Sequence, residues 1–364
     1  MHLYVHVPFC ARRCSYCDFA IAVRREVPSR AFVDAVLAEW HAWQADTALD
    51  GVPSLRTVYF GGGTPSKLAS GEIARLLDGI RALRPVDAEA EITLEANPED
   101  VSPRAVAAWR AGGVNRVSLG VQSFHPAVLA WMHRTHDLPA VHRAVAALRE
   151  GGVHDLSLDL IFAVPDSLQR DWAADLDAAI ALAPEHLSLY GLTVEPGTPL
   201  GRWTARAEVE PAPDERYAAE FLLAHERLTS AGFGHYEVSN YGRHGFRARH
   251  NSAYWRRAPF IGLGPSAHSG LGRRRRWNVA AWAAYERASI AGQPVSEAEE
   301  LLDDAQVRLE ALYLGLRTVE GLPATLLGSP AAWLEAGWAE RRADRVVLTA
   351  EGWLRLDALV RAAA

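Results

Sequence analysis

The stretch "CARRCSYCDF" (Cys10–Phe19) decides how the rest of the sequence is read. Cys10, Cys14 and Cys17 are the only three cysteines in the 364-residue chain. An odd number of thiols crowded into eight residues cannot all pair as disulfides. Thiolates with gaps of three and two residues bind zinc or an iron–sulfur cluster. Structural zinc takes about four protein ligands, so a histidine would have to complete the set. His2 and His6 are near in sequence. On one extended strand, however, both point to the same face, away from a fourth vertex. A cubane held by three thiolates has another logic, because its last iron is left open to a small chelator.

The context of the cluster is a series of strands and helices. Short apolar runs recur at "LYVHV" (Leu3–Val7), "TVYF" (Thr57–Phe60) and "EITLEA" (Glu91–Ala96). "NRVSLGV" (Asn115–Val121), "DLSLDLI" (Asp155–Ile161) and "HLSLYGL" (His186–Leu192) continue them. Between them, stretches such as "SGEIARLLDGIRAL" and "LPAVHRAVAALREGG" carry apolar residues at helical spacing. Strands and helices alternating about every thirty residues imply an α/β fold with a parallel sheet. Six such units in series fit a partial TIM-type (β/α)6 barrel. Chemistry in such folds gathers at the carboxyl ends of the strands. Cys10, the glycines of "FGGGTP", Glu95, Gln122 and Asp159 all fall at or near those ends.

Beyond Gly197 the pattern changes. A helix, "DERYAAEFLLAHERLTSAGF", leads into what reads as polar and aromatic loops through Asn278. The expected organisation is a barrel over 1–200, a completing region over 201–295, and a small, mainly helical C-terminal domain of winged-helix shape over 296–364. "GRRRRW", with Arg273 to Arg276, reads as a solvated arginine loop.

Bulk composition narrows the function classes. Hydrophobic residues make up 49% of the chain, which excludes wholesale disorder. A net charge of -6 argues against a dedicated nucleic-acid partner. No apolar run is long enough to span a bilayer, and "MHLYVHVPFC" has no secretory n-region or h-region. A reducing cytoplasmic location is expected, consistent with so few cysteines.

C-x3-C-x2-C with Tyr16 before the last cysteine closely resembles the radical SAM superfamily motif. The resemblance implies a [4Fe-4S] cluster on Cys10, Cys14 and Cys17. S-Adenosyl-L-methionine would bind its open iron, the radical chemistry belonging to the cofactor. "FGGGTP" resembles the GGE-type motif of the superfamily, with Thr64 where an acid is usual. Glu95 is then the candidate compensating carboxylate. "YVHVPFCARRCSYCDF", "GGGTPS", "LEANPE", "SLGVQSF", "MHRTH" and "LDLIFAVP" extend the likeness to the oxygen-independent coproporphyrinogen III oxidase group. Carried over, Tyr4 and Tyr16 would flank the cluster and its ligand. Gly62, Gly63, Thr64, Glu95, Gln122, Arg134 and Asp159 would contact the cofactor.

Two departures point away from the oxidase itself and toward a heme-chaperone branch of the group. The oxidase carries a further cysteine two residues after the cluster, where this chain has Phe19. The oxidase also has an N-terminal extension that helps cover its substrate, whereas Cys10 lies near the start here. "RHNSAYW" (Arg249–Trp255) resembles the HNxxYW motif of the chaperone branch. It makes His250, Asn251, Tyr254 and Trp255 the candidate heme-binding residues, histidine being a common axial ligand. Arg247, Arg249, Arg256 and Arg257 could pair with propionates. The resemblance implies heme and heme-accepting proteins, respiratory and membrane-bound, as partners, with an electron donor protein. Oxidative decarboxylation of propionates is the alternative function.

Overall fold

Residues buried on both faces of a parallel sheet can be apolar throughout, and the runs read above are such strands. The computed structural model describes residues 1–364. Its large sheet contains β1 (His2–Val7), β2 (Leu55–Gly62), β3 (Val86–Ala96), β4 (Arg116–Gln122), β5 (Asp155–Phe162) and β6 (His186–Gly191). It continues with β7 (Gly234–Glu237), β8 (Asn240–Gly242), β9 (Phe260–Leu263), β10 (His268–Leu271), β11 (Arg274–Asn278) and β12 (Ser296–Leu301). Strands β1 to β6 are neighbours in chain order and all parallel. β9 pairs parallel to the outer side of β1, and β10, β11 and β12 follow antiparallel. At the other end β8 and β7 add antiparallel beyond β6. The end strands β12 and β7 are not paired with each other, so the barrel is partial.

The helices start and stop where the side chains dictate. Ser102, Asp137 and Asp171 accept backbone N–H groups at the starts of Pro103–Gly112, Leu138–Glu150 and Trp172–Ala181. Gly113, at φ 102°, ends the first of these in the left-handed region that glycine adopts without strain.

The stretch expected as loops is structured. Between Gly234 and Asn278 lie five strands of three to five residues and the helix Arg249–Trp255. Elements so short are too brief for a period to show. The arginine run is likewise structured, Arg273 in a turn and Arg274 to Arg276 in strand β11. Arg273 pairs with Asp304 at 2.5 Å, Arg274 with Asp46 at 2.8 Å and Arg275 with Glu310 at 2.6 Å. Arg276 lies over the Trp43 ring.

Ser296–Leu301, at the expected start of the C-terminal domain, is hydrogen-bonded to β11 in the large sheet. After it comes the helix Asp304–Leu316, with a reciprocal Asp303–Gln306 cap. Two shorter helices and a three-stranded sheet containing the Ala339–Arg342 and Arg345–Leu348 hairpin follow, before the terminal helix Leu356–Ala363.

Two buried knots fix the start of the cysteine loop. Phe9, next to Cys10, is fully buried, its ring 5.7 Å from Phe32 and 5.3 Å from Trp282. Burying such a side chain stabilises by about 1.5–3 kcal/mol. Nearby, the buried Glu39 accepts from Tyr285 Oη at 2.6 Å, Asn278 Nδ2 at 2.7 Å and Gly264 N at 2.9 Å. That ties the helix Ser29–Trp43 to β9, β11 and the helix Trp282–Ile290.

Candidate functional site

The loop after β1 is pinned at both ends. Phe9–Cys10 pairs with Ala22–Val23, where Ala22 N donates to Pro8 O at 2.7 Å and Arg24 N to Cys10 O at 2.9 Å. Mid-loop, Ser15 N donates to Met132 O, and Leu200 N donates to Ser15 O at 2.8 Å. The loop therefore holds three free thiols over the carboxyl ends of the parallel strands.

Close approach of β2 to the end of β1 brings the glycine run to the sulfurs. A side chain on Gly63 would lie 2.7 Å from the Pro8 backbone, so only glycine lets the strands meet there. Thr64 follows, and its hydroxyl donates to Cys10 Sγ at 3.4 Å. The Arg134 guanidinium lies 3.8 Å from Cys14 Sγ. Burial pushes the Cys10 thiol up, with the Thr64 hydrogen bond opposing it, and pushes Cys17 to about 11.

These groups ring a cavity of about 450 Å³. Cys10, Cys14, Tyr16, Cys17, Gly62, Gly63, Thr64, Glu95, Gln122, Arg134 and Asp159 all line it. Tyr4 does not. It projects from β1 one layer deeper, where its hydroxyl meets His6 Nδ1 at 3.0 Å and its ring stacks 6.1 Å from Tyr59. Glu95 accepts from Tyr59 Oη at 2.7 Å and from Gly62 N at 3.1 Å. Burial, reinforced by the nearby Asp159 charge, raises its carboxyl to about 7 against those hydrogen bonds. Asp159 accepts from Ser118 Oγ at 2.8 Å, and burial raises it too. Gln122 sits at φ 69°, where the β4–β5 register slips. Such bulges and left-handed non-glycine residues re-aim side chains near functional sites.

The donor set fits the implied group. No three His, Cys, Asp or Glu side chains converge closely enough to hold a single metal ion. The thiols instead surround a volume, with hydroxyl and guanidinium donors beside two of them. The buried Arg134 Nε has no partner within the protein, a polar group left for a ligand. Sequence reasoning missed Tyr190, Asn97, Ser118 and His133, which share this lining. Tyr190, late in β6, was reachable by the strand-end rule already applied to the other strands.

A second cavity, of about 480 Å³, adjoins the first. Phe19 and Gly62 line both. Phe19, the residue standing where the oxidase has its extra cysteine, is 58% exposed. Tyr4, His6, Tyr254, Trp255, Phe260 and His268 contribute to the second lining.

The histidine of the HNxxYW stretch is placed differently from the expectation. His250 is 1% exposed and lines neither cavity. Its Nδ1 meets Thr57 Oγ1 at 2.6 Å and its Nε2 meets Tyr254 Oη at 2.7 Å. Its ring stacks 5.0 Å from Tyr59 in the barrel interior, and burial lowers its pKa to about 3. Glu91 caps this helix by accepting from Arg249 N at 2.7 Å and His250 N at 2.9 Å. Asn251 is half-buried and lines neither cavity. Of the four arginines, only Arg257 lines the second cavity. Arg247, Arg249 and Arg256 line a separate polar cleft with His2 and Thr57 from the amino ends of β1 and β2.

A family profile described as the radical SAM superfamily matches residues 4–179. The heme chaperone HemW of Mycobacterium tuberculosis is 40% identical over 369 residues, covering 99% of this chain and 93% of that protein. The chain belongs to the HemW family. HemW of Bacillus subtilis is 32% identical, covering 88% of this chain and 84% of that protein. HemW of Escherichia coli is 39% identical, covering 74% and 69% respectively. The structure resembles coproporphyrinogen III oxidase, HemN, from Escherichia coli with a TM-score of 0.82. That likeness covers 99% of this chain and 89% of HemN at 21% identity, which establishes the fold. Membership of the radical SAM superfamily implies a [4Fe-4S] cluster and S-adenosyl-L-methionine for this HemW-family chain. When bound, that pair supplies one-electron chemistry. The protein's part is to hold and orient the pair.

Proposed function

We propose that this protein binds heme and passes it to heme-accepting proteins, respiratory membrane-bound ones among them. The observation that carries this reading is kinship with heme chaperones across 99% of the chain. The second cavity supports it, being within the roughly 300–1,000 Å³ of small-molecule sites and lined in part by Tyr4, Phe19, Tyr254, Trp255 and Phe260. Phe19 in place of a cysteine supports a chaperone over an oxidase. In this reading Cys10, Cys14 and Cys17 hold the cluster. Gly62, Gly63, Thr64, Glu95, Gln122, Arg134 and Asp159 hold S-adenosyl-L-methionine. The Glu95 carboxylate faces the ammonium of the methionine, and Arg134 supplies positive charge beside Cys14. An electron donor protein and a cytoplasmic setting belong to the same proposal. No helix is long and apolar enough to cross a membrane.

The test uses protein purified without oxygen and loaded with cluster. Added heme is expected to bind at a one-to-one ratio and to move to an apo-cytochrome acceptor. Coproporphyrinogen III is expected to stay unconverted. Protoporphyrinogen formation at the rate of a genuine oxidase would replace the chaperone reading with the enzymatic one.

A further inference from the structure

A protein ligand to heme iron needs a ring nitrogen free of other partners, in a space that admits a flat porphyrin. Three histidines approach the second cavity. His250 has both nitrogens hydrogen-bonded and is closed off from the cavity. His6 is also committed. Its Nε2 donates to Ala20 O at 3.0 Å, which leaves Nδ1 to accept from Tyr4 Oη at 3.0 Å. His268 lines the cavity, and its exposed ring makes no hydrogen bond. We infer that His268 is the protein ligand to the iron of bound heme, seated in the aromatic cavity beside the cofactor site. The inference rests on the heme reading above and names the residue that serves it.

Local structure orients the ring for this role. His268 opens β10 and is paired in register with Trp277 of β11. Its ring stacks on the indole at 5.8 Å and 23°, which holds the imidazole plane while leaving its edge free. Phe19, Tyr254, Trp255 and Phe260 share the lining with His268, apolar faces of the kind a porphyrin packs against. Gly270 and Gly272 line it with backbone alone, leaving room for a flat group. At the rim, Arg257 and Arg275 both pair with Glu310, at 2.7 Å and 2.6 Å. Two guanidinium charges against one carboxylate leave one net positive charge, suited to a propionate. Partial burial at the cavity wall lowers the His268 pKa, which favours the neutral ring that ligates.

The experiment compares ferrous heme complexes of the anoxic wild type, His268→Ala and His250→Ala by resonance Raman and absorbance. Cluster iron content and circular dichroism serve as folding controls. The wild type is expected to show an iron–histidine stretching band. His268→Ala loses that band and binds heme at least tenfold more weakly, and added imidazole restores a five-coordinate imidazole spectrum. His250→Ala keeps the band. A band that survives in His268→Ala, or vanishes only in His250→Ala, overturns the inference and leaves heme binding intact. A wild type that takes up no heme overturns the chaperone reading, and the inference with it.

Discussion

The cysteine cavity and the HNxxYW helix are both rich in metal-binding residue types, yet they are built in opposite ways. Around the cavity, capacity is left over. Three thiols are free, Arg134 Nε has no partner and Gln122 is held in a left-handed conformation. Around His250 both ring nitrogens are hydrogen-bonded and the helix start is capped by Glu91. Trp255 Nε1 on that helix also lacks a partner, but the ring nitrogens that could ligate a metal there are spent on hydrogen bonds. The cysteine cavity is marked as a ligand site by the free thiols that line it, and residue type alone does not separate it from the His250 helix.

Substitutions can break or sharpen that contrast. The largest effect is expected from Cys10→Ala, Cys14→Ala or Cys17→Ala. Each should reduce cluster iron and sulfide to background after anoxic reconstitution, while helix content stays unchanged by circular dichroism. Retention of a full cluster in any one would remove that thiol from the ligand set.

Next comes His250→Ala, which empties a packed site and leaves the Thr57 and Tyr254 hydroxyls without this partner. Urea unfolding should show a loss of about 2–4 kcal/mol. Because burial lowers the His250 pKa to about 3, the unfolded chain takes up a proton that the folded ring refuses. Its share of wild-type stability is therefore full above about 6.5 and falls as pH drops from there towards 3. That slope should be absent in the variant. An unchanged urea midpoint would mean that the ring is not part of the core.

Glu95→Gln should be milder. Losing a charged partner worth about 1.5–3 kcal/mol weakens S-adenosyl-L-methionine binding roughly 10- to 150-fold. Burial raises this carboxyl to about 7, so below that pH the wild type is protonated and attracts an ammonium poorly. Wild-type affinity should fall as pH drops through 7, and the variant should be flat. Equal affinity and equal slope in titrations of the two cluster-loaded proteins would exclude the contact. The smallest effect is expected at Arg273→Ala, whose exposed pairing with Asp304 is worth about 0–1 kcal/mol. A larger shift in the urea midpoint would show that the turn before β11 depends on this pair.

The barrel was legible because it repeats. Buried parallel strands are uniformly apolar, so their runs stand out, and the helix Ser70–Leu83 spans the same residues that its sequence pattern indicated. The short strands between Gly234 and Asn278 were not legible, since three to five residues cannot display a period. His268 went unnoticed for a related reason. Nothing in "GPSAHSGLG" indicates that the strand after β9 brings that ring to a cavity it shares with the distant Phe19.

Local chemistry alone determined the three-thiol loop, the glycine turn and the alternation of strands and helices, because these depend on residue type and near spacing. Which histidine is spent and which is free was decided only by the closed chain. The hydrogen bond between Thr57 and His250 joins positions 193 residues apart, and no short-range pattern encodes such a pairing.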